Sequence, residues 1–218
     1  MIKKRLEPDP LNLFSGKIIK MQFKVTIPNL LTAIRVLIIP FFILICYLPA
    51  ILSPNYINPY HANFAAALTF AIAGATDWLD GRVARKWHQT TELGAFLDPI
   101  ADKLLVACAL VLLVRWDRTY AFLSIIIISR ELCVTALREM MARKNLSEVV
   151  AVARVGKWKT TAQITAIIML LLGQFPYTRW DLILLGNAFL VIAVVLTIVS
   201  FIHYINVIYL ALKNRGEI

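Results

Sequence analysis

The chain has 218 residues, 60% of them hydrophobic and only 17% charged, with a mean hydropathy of +0.73. A soluble domain carries about 25% charged residues, so the composition excludes an ordinary globular protein and predicts an all-α integral membrane protein. The net charge of +10 sits in short loops with no basic stripe interleaved with exposed aromatics, which argues against nucleic acid as a partner.

Apolar runs close to the ~20 residues that cross a bilayer predict six transmembrane helices. Residues 1–27 read as a basic cytoplasmic N-terminal extension and interfacial segment, without a signal-peptide core before Met21. Residues 28–218 read as one six-helix membrane domain. The first helix spans 29–48, entered through Pro28 with Asn29 as N-cap. A turn-rich loop, Asn55-Tyr-Ile-Asn-Pro59, leads to the second helix at 63–84. A short basic connection with Arg82, Arg85 and Lys86 precedes the third at 93–114. The fourth covers 120–141 and the fifth 160–175. Interfacial aromatics in Gln174-Phe-Pro-Tyr-Thr-Arg-Trp180 precede the sixth, 182–212, which is long enough to leave the bilayer. Cys46, Cys108 and Cys133 lie in apolar runs without paired spacing and read as small buried hydrophobes. His61, His88 and His203 are scattered and match no zinc pattern.

Charge sets the orientation. Seventeen Lys and Arg fall before the first helix, in the second-to-third and fourth-to-fifth connections, and at the C-terminus; only Arg115, Arg118 and Arg179 fall on the other side. Cytoplasmic loops carry the excess of positive charge. Both termini and the even-numbered connections are therefore expected in the cytoplasm.

Within this apolar background stand four aspartates: Asp77 and Asp80 in the second helix, Asp98 and Asp102 in the third. A carboxylate inside a membrane helix costs roughly 2.5–3.5 kcal/mol on insertion scales. Steps of three and four residues return to one helix face, and the short connection makes the two helices neighbours. Four clustered carboxylates repel unless cations lie between them. Gly74 and Gly94 are expected to allow close backbone approach, and Pro99 to bend the third helix. No histidine joins the set, and all-oxygen ligation favours Mg2+ or Mn2+. Two such ions suit phosphoryl transfer on a diphosphate, and one aspartate is available as general base. A set of merely solvated helix-end charges is the plainer alternative. Four at this spacing, with Gly81 and Arg85 between them, disfavour it.

The pattern D-x-x-D-G-x-x-A-R-x8-G-x3-D-x3-D over Asp77 to Asp102 resembles the signature of the CDP-alcohol phosphatidyltransferases, with every fixed position filled. The similarity runs from about Met21 to the C-terminus. It includes Pro28-Asn29-Leu-Leu-Thr32-Ala-Ile-Arg35, Arg130-Glu131, Ala136-Leu-Arg138-Glu139 and Gly156-Lys157-Trp-Lys159-Thr160-Thr-Ala-Gln163, and is strongest to bacterial members whose acceptor is glycerol 3-phosphate. The resemblance implies the CDP-alcohol phosphotransferase fold, a homodimer, and a multi-pass protein of the bacterial inner membrane with its active site facing the cytoplasm. It implies transfer of the phosphatidyl group from CDP-diacylglycerol to sn-glycerol 3-phosphate, with two divalent ions, Mg2+ or Mn2+. Asp77, Asp80 and Asp98 would hold metal, Asp77 and Asp98 bridging both ions. Asp102 would hold the second ion and act as base. Gly81, Arg85, Thr91, Asn29, Thr32 and Arg35 would contact the CDP-lipid. Arg138, Lys157, Lys159, Arg130 and Arg154 would bind the acceptor's phosphate.

Arg130 lies deep in an apolar run and needs a partner, for which Glu131, Glu139 or a substrate phosphate qualify. Lys103, beside Asp102, is a candidate to neutralise the carboxylates. Within the class, inositol phosphate, serine or phosphatidylglycerol are rival acceptors. Outside it, an ion or proton transporter also uses buried acids, but Gly81-x-x-Ala84-Arg85 has no purpose in a proton path. A non-catalytic scaffold would tolerate loss of all four aspartates.

Overall fold

The computed structural model describes residues 27–52, 58–87, 92–144, 155–173 and 181–216. These residues form six helices: α1 (Ile27–Ile51), α2 (Pro59–Trp87), α3 (Glu92–Arg115), α4 (Ala121–Arg143), α5 (Val155–Leu172) and α6 (Leu182–Asn214). Each corresponds to one of the expected spans. α1 begins at Ile27, so Pro28 and Asn29 lie in its first turn, and the expectation of Asn29 as N-cap is corrected. Proline is tolerated there because first-turn N–H groups lack intrahelical acceptors. α5 begins at Val155, ahead of the expected Thr160, and stops at Leu172, where Gly173 turns the chain with a left-handed φ of 64°. Asp181 caps α6, its carboxylate accepting from the N–H groups of Ile183 and Leu184 at 3.0 and 3.2 Å.

The 33 residues of α6, with a mean hydropathy of 2.8 over their most apolar window, suffice to cross a membrane. Among the described residues it is the one helix that passes on length and composition. α4 is less apolar because it carries Arg130, Glu131, Arg138 and Glu139. The outer surface is nonetheless oily: Leu37, Leu132, Leu184, Ile125 and Val111 are each 59–69% exposed. Apolar surface on this scale marks contact with a membrane or with another protein.

Inside, Phe42 of α1 packs on Phe70 of α2 with ring centroids 6.2 Å apart. Leu110 and Leu113 of α3, Ile167, Leu170 and Leu171 of α5 and Leu190 of α6 complete this core, all fully buried. α5 and α6 form the most extensive helix pair. Gly186 is the reason they can close: a Cβ there would stand 2.7 Å from Leu170 Cγ and 3.3 Å from the Ala166 carbonyl oxygen. Gly74, expected to serve such an approach, faces open space and does not. The cysteines are free, but burial fits only Cys46; Cys108 is half-buried and Cys133 exposed, because it lies on the outer face of α4.

Arg118, in the turn between α3 and α4, draws one end of the molecule together. Its guanidinium donates to the Leu170 and Leu171 carbonyls of α5 at 3.1 and 2.7 Å and to Asn63 Oδ1 of α2 at 3.0 Å. Its own carbonyl accepts from Asn187 Nδ2 of α6 at 2.8 Å. Burial lowers the Arg118 pKa from its ordinary value, although a guanidinium stays charged regardless. The start of α2, the end of α3, the start of α4, the end of α5 and the start of α6 thus share one pole. At the other, Arg215 just past α6 donates to the Lys144 carbonyl at the end of α4 at 3.0 Å. The motif-bearing end of α2 and start of α3 belong to that second pole.

Candidate active site

Asp77 and Asp80 fall in the C-terminal part of α2, and Asp98 and Asp102 in the N-terminal part of α3. The backbone is helical through both pairs, so their spacings of three and four residues each correspond to about one turn. The side chains of these four aspartates, and of Asn29, Thr32, Arg35, Gly81, Arg85 and Lys157, lie outside the described set, although their backbones are helical. Thr91, Arg154 and the extension 1–26 lie outside the described residues altogether. As a donor set, four carboxylates with no imidazole or thiolate fit a hard divalent cation.

Next to this pair of helix ends the described side chains form a polar cluster inside the bundle. Lys103, one position after Asp102, donates from Nζ to Thr135 Oγ1 of α4. Thr135 in turn donates to the Glu131 carbonyl, one turn back, at 2.7 Å. Glu131 Oε1 accepts from Arg130 Nη1 at 2.9 Å and from Lys159 Nζ of α5 at 3.2 Å. Arg130 Nη2 donates to Ser200 Oγ of α6 at 2.7 Å. Lys159 is 7% exposed. Arg130 and Arg138 are its charged neighbours, and the buried Tyr204 hydroxyl of α6 faces the same two arginines.

Arg130 and Lys159 share the one carboxylate of Glu131, which leaves one surplus positive charge inside the bundle, and Arg138, exposed on α4, is a further cation beside Lys159. A buried charge needs a partner, so the cluster favours an anionic ligand, for which a phosphate monoester, at about −1.5 to −2 at neutral pH, qualifies. Among the expected acceptor-site residues the structure therefore gathers Arg130, Arg138 and Lys159. Of the partners considered for Arg130, Glu131 is the one used; Glu139 instead pairs with Arg143 at 2.7 Å on the surface.

Two participants carry no signal in the sequence, and a third plays a larger part than the sequence suggests. Ser200 is a single hydroxyl in an apolar helix, which carries no signal. Thr135 is hidden for the same reason. Glu131 was named only as a mate for Arg130, whereas it holds two cations from two helices. The adjacent Arg130-Glu131 inside an apolar run was the available clue.

Comparison with known proteins shows the family. The family model of CDP-alcohol phosphatidyltransferase matches residues 25–199. A CDP-diacylglycerol–glycerol-3-phosphate 3-phosphatidyltransferase of Haemophilus influenzae is 48% identical over 186 residues, 84% of this chain and 94% of the relative. Proteins of the same description from Escherichia coli K12 and Shigella flexneri serotype 5b are each 44% identical over 188 residues, 85% of this chain and 95% of the relative.

Proposed function

The chain belongs to the CDP-alcohol phosphatidyltransferase family, and from that premise we propose that it transfers the phosphatidyl group of CDP-diacylglycerol to sn-glycerol 3-phosphate, giving phosphatidylglycerophosphate and CMP. The observation that carries this reading is the 44–48% identity to relatives of that description over 94–95% of their length. Arg130 and Lys159, held by Glu131, with Arg138 beside Lys159, support it, because a phosphorylated acceptor needs such cations and serine does not.

Asp77, Asp80, Asp98 and Asp102 would hold the two divalent ions. Divalent-metal dependence is general in the family, and Mg2+ or Mn2+ bound there supplies charge neutralisation of the diphosphate. Gly81 admits the CDP-lipid diphosphate close to the backbone and Arg85 pairs with its charge. Thr91, Asn29, Thr32 and Arg35 add contacts to the nucleotide side. Arg130, Arg138 and Lys159, with Lys157 and Arg154, seat the acceptor's phosphate. Asp102 takes the proton from the glycerol 1-hydroxyl. That oxygen forms a bond to the lipid-linked phosphorus, the bond from phosphorus to the CMP oxygen breaks, and CMP leaves with its charge paired to Arg85.

All six helices span the bilayer in this reading, α6 by its own hydropathy and the others by their apolar outer faces. Residues 1–27 form a basic extension on the membrane surface, and 28–218 form the catalytic domain. The positive-charge asymmetry puts both termini and the site on the cytoplasmic face of the inner membrane, where glycerol 3-phosphate is dissolved. A homodimer is proposed on the family resemblance. Purified protein offered CDP-diacylglycerol with glycerol 3-phosphate, serine, inositol phosphate and phosphatidylglycerol in turn tests the acceptor. CMP release with glycerol 3-phosphate is expected; release only with another alcohol overturns it.

A further inference from the structure

We propose that Glu131 is a positioning residue for the acceptor's phosphate, its carboxylate acting with the Ser200 hydroxyl to fix the Arg130 guanidinium and the Lys159 ammonium across the space between α4 and α5. The inference rests on the proposed phosphorylated acceptor and extends it to residues that do not themselves touch an anion.

Among the described residues, no Cα of α4 comes within 8 Å of a Cα of α5 in the manner of packed neighbours. Lys159 and Glu131 nevertheless meet at 3.2 Å, so two long side chains bridge a gap rather than decorate a helix contact. Without the carboxylate, Lys159 and Arg130 would be two like charges at close range in an apolar setting, and both would swing apart. With it, one oxygen holds both donors, at 2.9 and 3.2 Å. Ser200 fixes the second arm of the fork at 2.7 Å. The remaining donor, Arg130 Nε, is buried and has no hydrogen-bond partner. An unsatisfied buried donor is costly, and an anion oxygen arriving in the gap would satisfy it.

Stability alone does not account for the arrangement. Buried ion pairs are often replaceable by hydrophobic residues with no loss of stability. The Thr135 hydroxyl links the Glu131 carbonyl to Lys103, next to Asp102. The rack that aims the cations is thereby tied to the helix that carries the proposed base, which fixes the acceptor's phosphate relative to its hydroxyl.

The test uses full-length protein in lipid-containing micelles, with wild type as reference for turnover. Glu131→Gln is expected to raise the KM for glycerol 3-phosphate about 10-fold, the size of one lost charged hydrogen bond, while the KM for CDP-diacylglycerol stays within about 2-fold. Glu131→Asp should recover part of the loss. Ser200→Ala should raise the acceptor KM about 3-fold and leave the CDP-diacylglycerol KM alone, and it decides the matter by itself if Glu131→Gln does not fold. Unchanged acceptor KM values, or both KM values rising together, overturn the proposal. Calorimetric titration with inorganic phosphate gives a readout independent of turnover: weaker binding in Glu131→Gln supports it, and equal or tighter binding refutes it. If wild type releases no CMP with glycerol 3-phosphate, the acceptor reading fails, and the phosphate titration still judges the role of Glu131.

Discussion

Replacing Arg118 with alanine should destabilise the protein without touching its chemistry. The guanidinium makes three hydrogen bonds, to two carbonyls at the end of α5 and to Asn63 of α2. It also stacks over the Trp116 ring, 4.8 Å from the centroid. Each hydrogen bond from a charged donor is worth about 1.5–3 kcal/mol when isolated, and the cation–π contact adds about 0.5–1 kcal/mol. Arg118 is only part-buried, so water reaches some of the orphaned carbonyls and the losses are not additive. A net cost of about 3 kcal/mol follows. For a chain of this size about 2–4 °C of Tm is lost per kcal/mol, so the melting temperature in detergent should fall by about 6–12 °C. Both KM values, measured well below that temperature, should match wild type, because the clamp lies at the pole away from Asp77 to Asp102. Arg118→Lys keeps the charge but not the fork and should recover less than half of the loss. A Tm within 2 °C of wild type would refute the reasoning that this turn ties the helix ends together.

Gly186→Ala drives a methyl to 2.7 Å from Leu170 Cγ, so about 1–3 kcal/mol of destabilisation is expected in a detergent melt, and a neutral result would mean α5 and α6 are less closely packed than described. Arg143→Ala removes an ion pair whose side chains are 78% and 64% exposed, and stability should move by less than about 0.5 kcal/mol. Chelation with EDTA should abolish CMP release, with recovery on adding Mg2+ or Mn2+; turnover that survives chelation would remove the metal from the account. Asp102→Asn should fold, bind CDP-diacylglycerol and lose turnover by at least 100-fold, whereas substantial residual rate would deny it the role of base.

The helices were legible in the sequence because membrane insertion demands long apolar runs, and Leu182–Asn214 is the clearest case. The four aspartates stood out for the complementary reason: charge is expensive in that setting. Less legible was anything that depends on which residue a helix face meets. Gly74 and Gly186 are equivalent as letters, yet only Gly186 lies against a neighbouring helix. Arg118 read as one of few charges on its side of the membrane, and its clamp onto α5 requires knowing that Leu170 and Leu171 end beside it. Arg130 announced its need for a partner, but Ser200, seventy positions away, carried no mark.

The central claim is the reaction itself, and its most direct measurement follows one labelled atom. Purified protein is incubated with CDP-diacylglycerol, glycerol 3-phosphate carrying a radiolabelled carbon, and Mg2+. The label should pass into the organic phase as phosphatidylglycerophosphate, with one CMP released for each lipid formed. Label that stays in the aqueous phase while CDP-diacylglycerol remains intact would contradict the account.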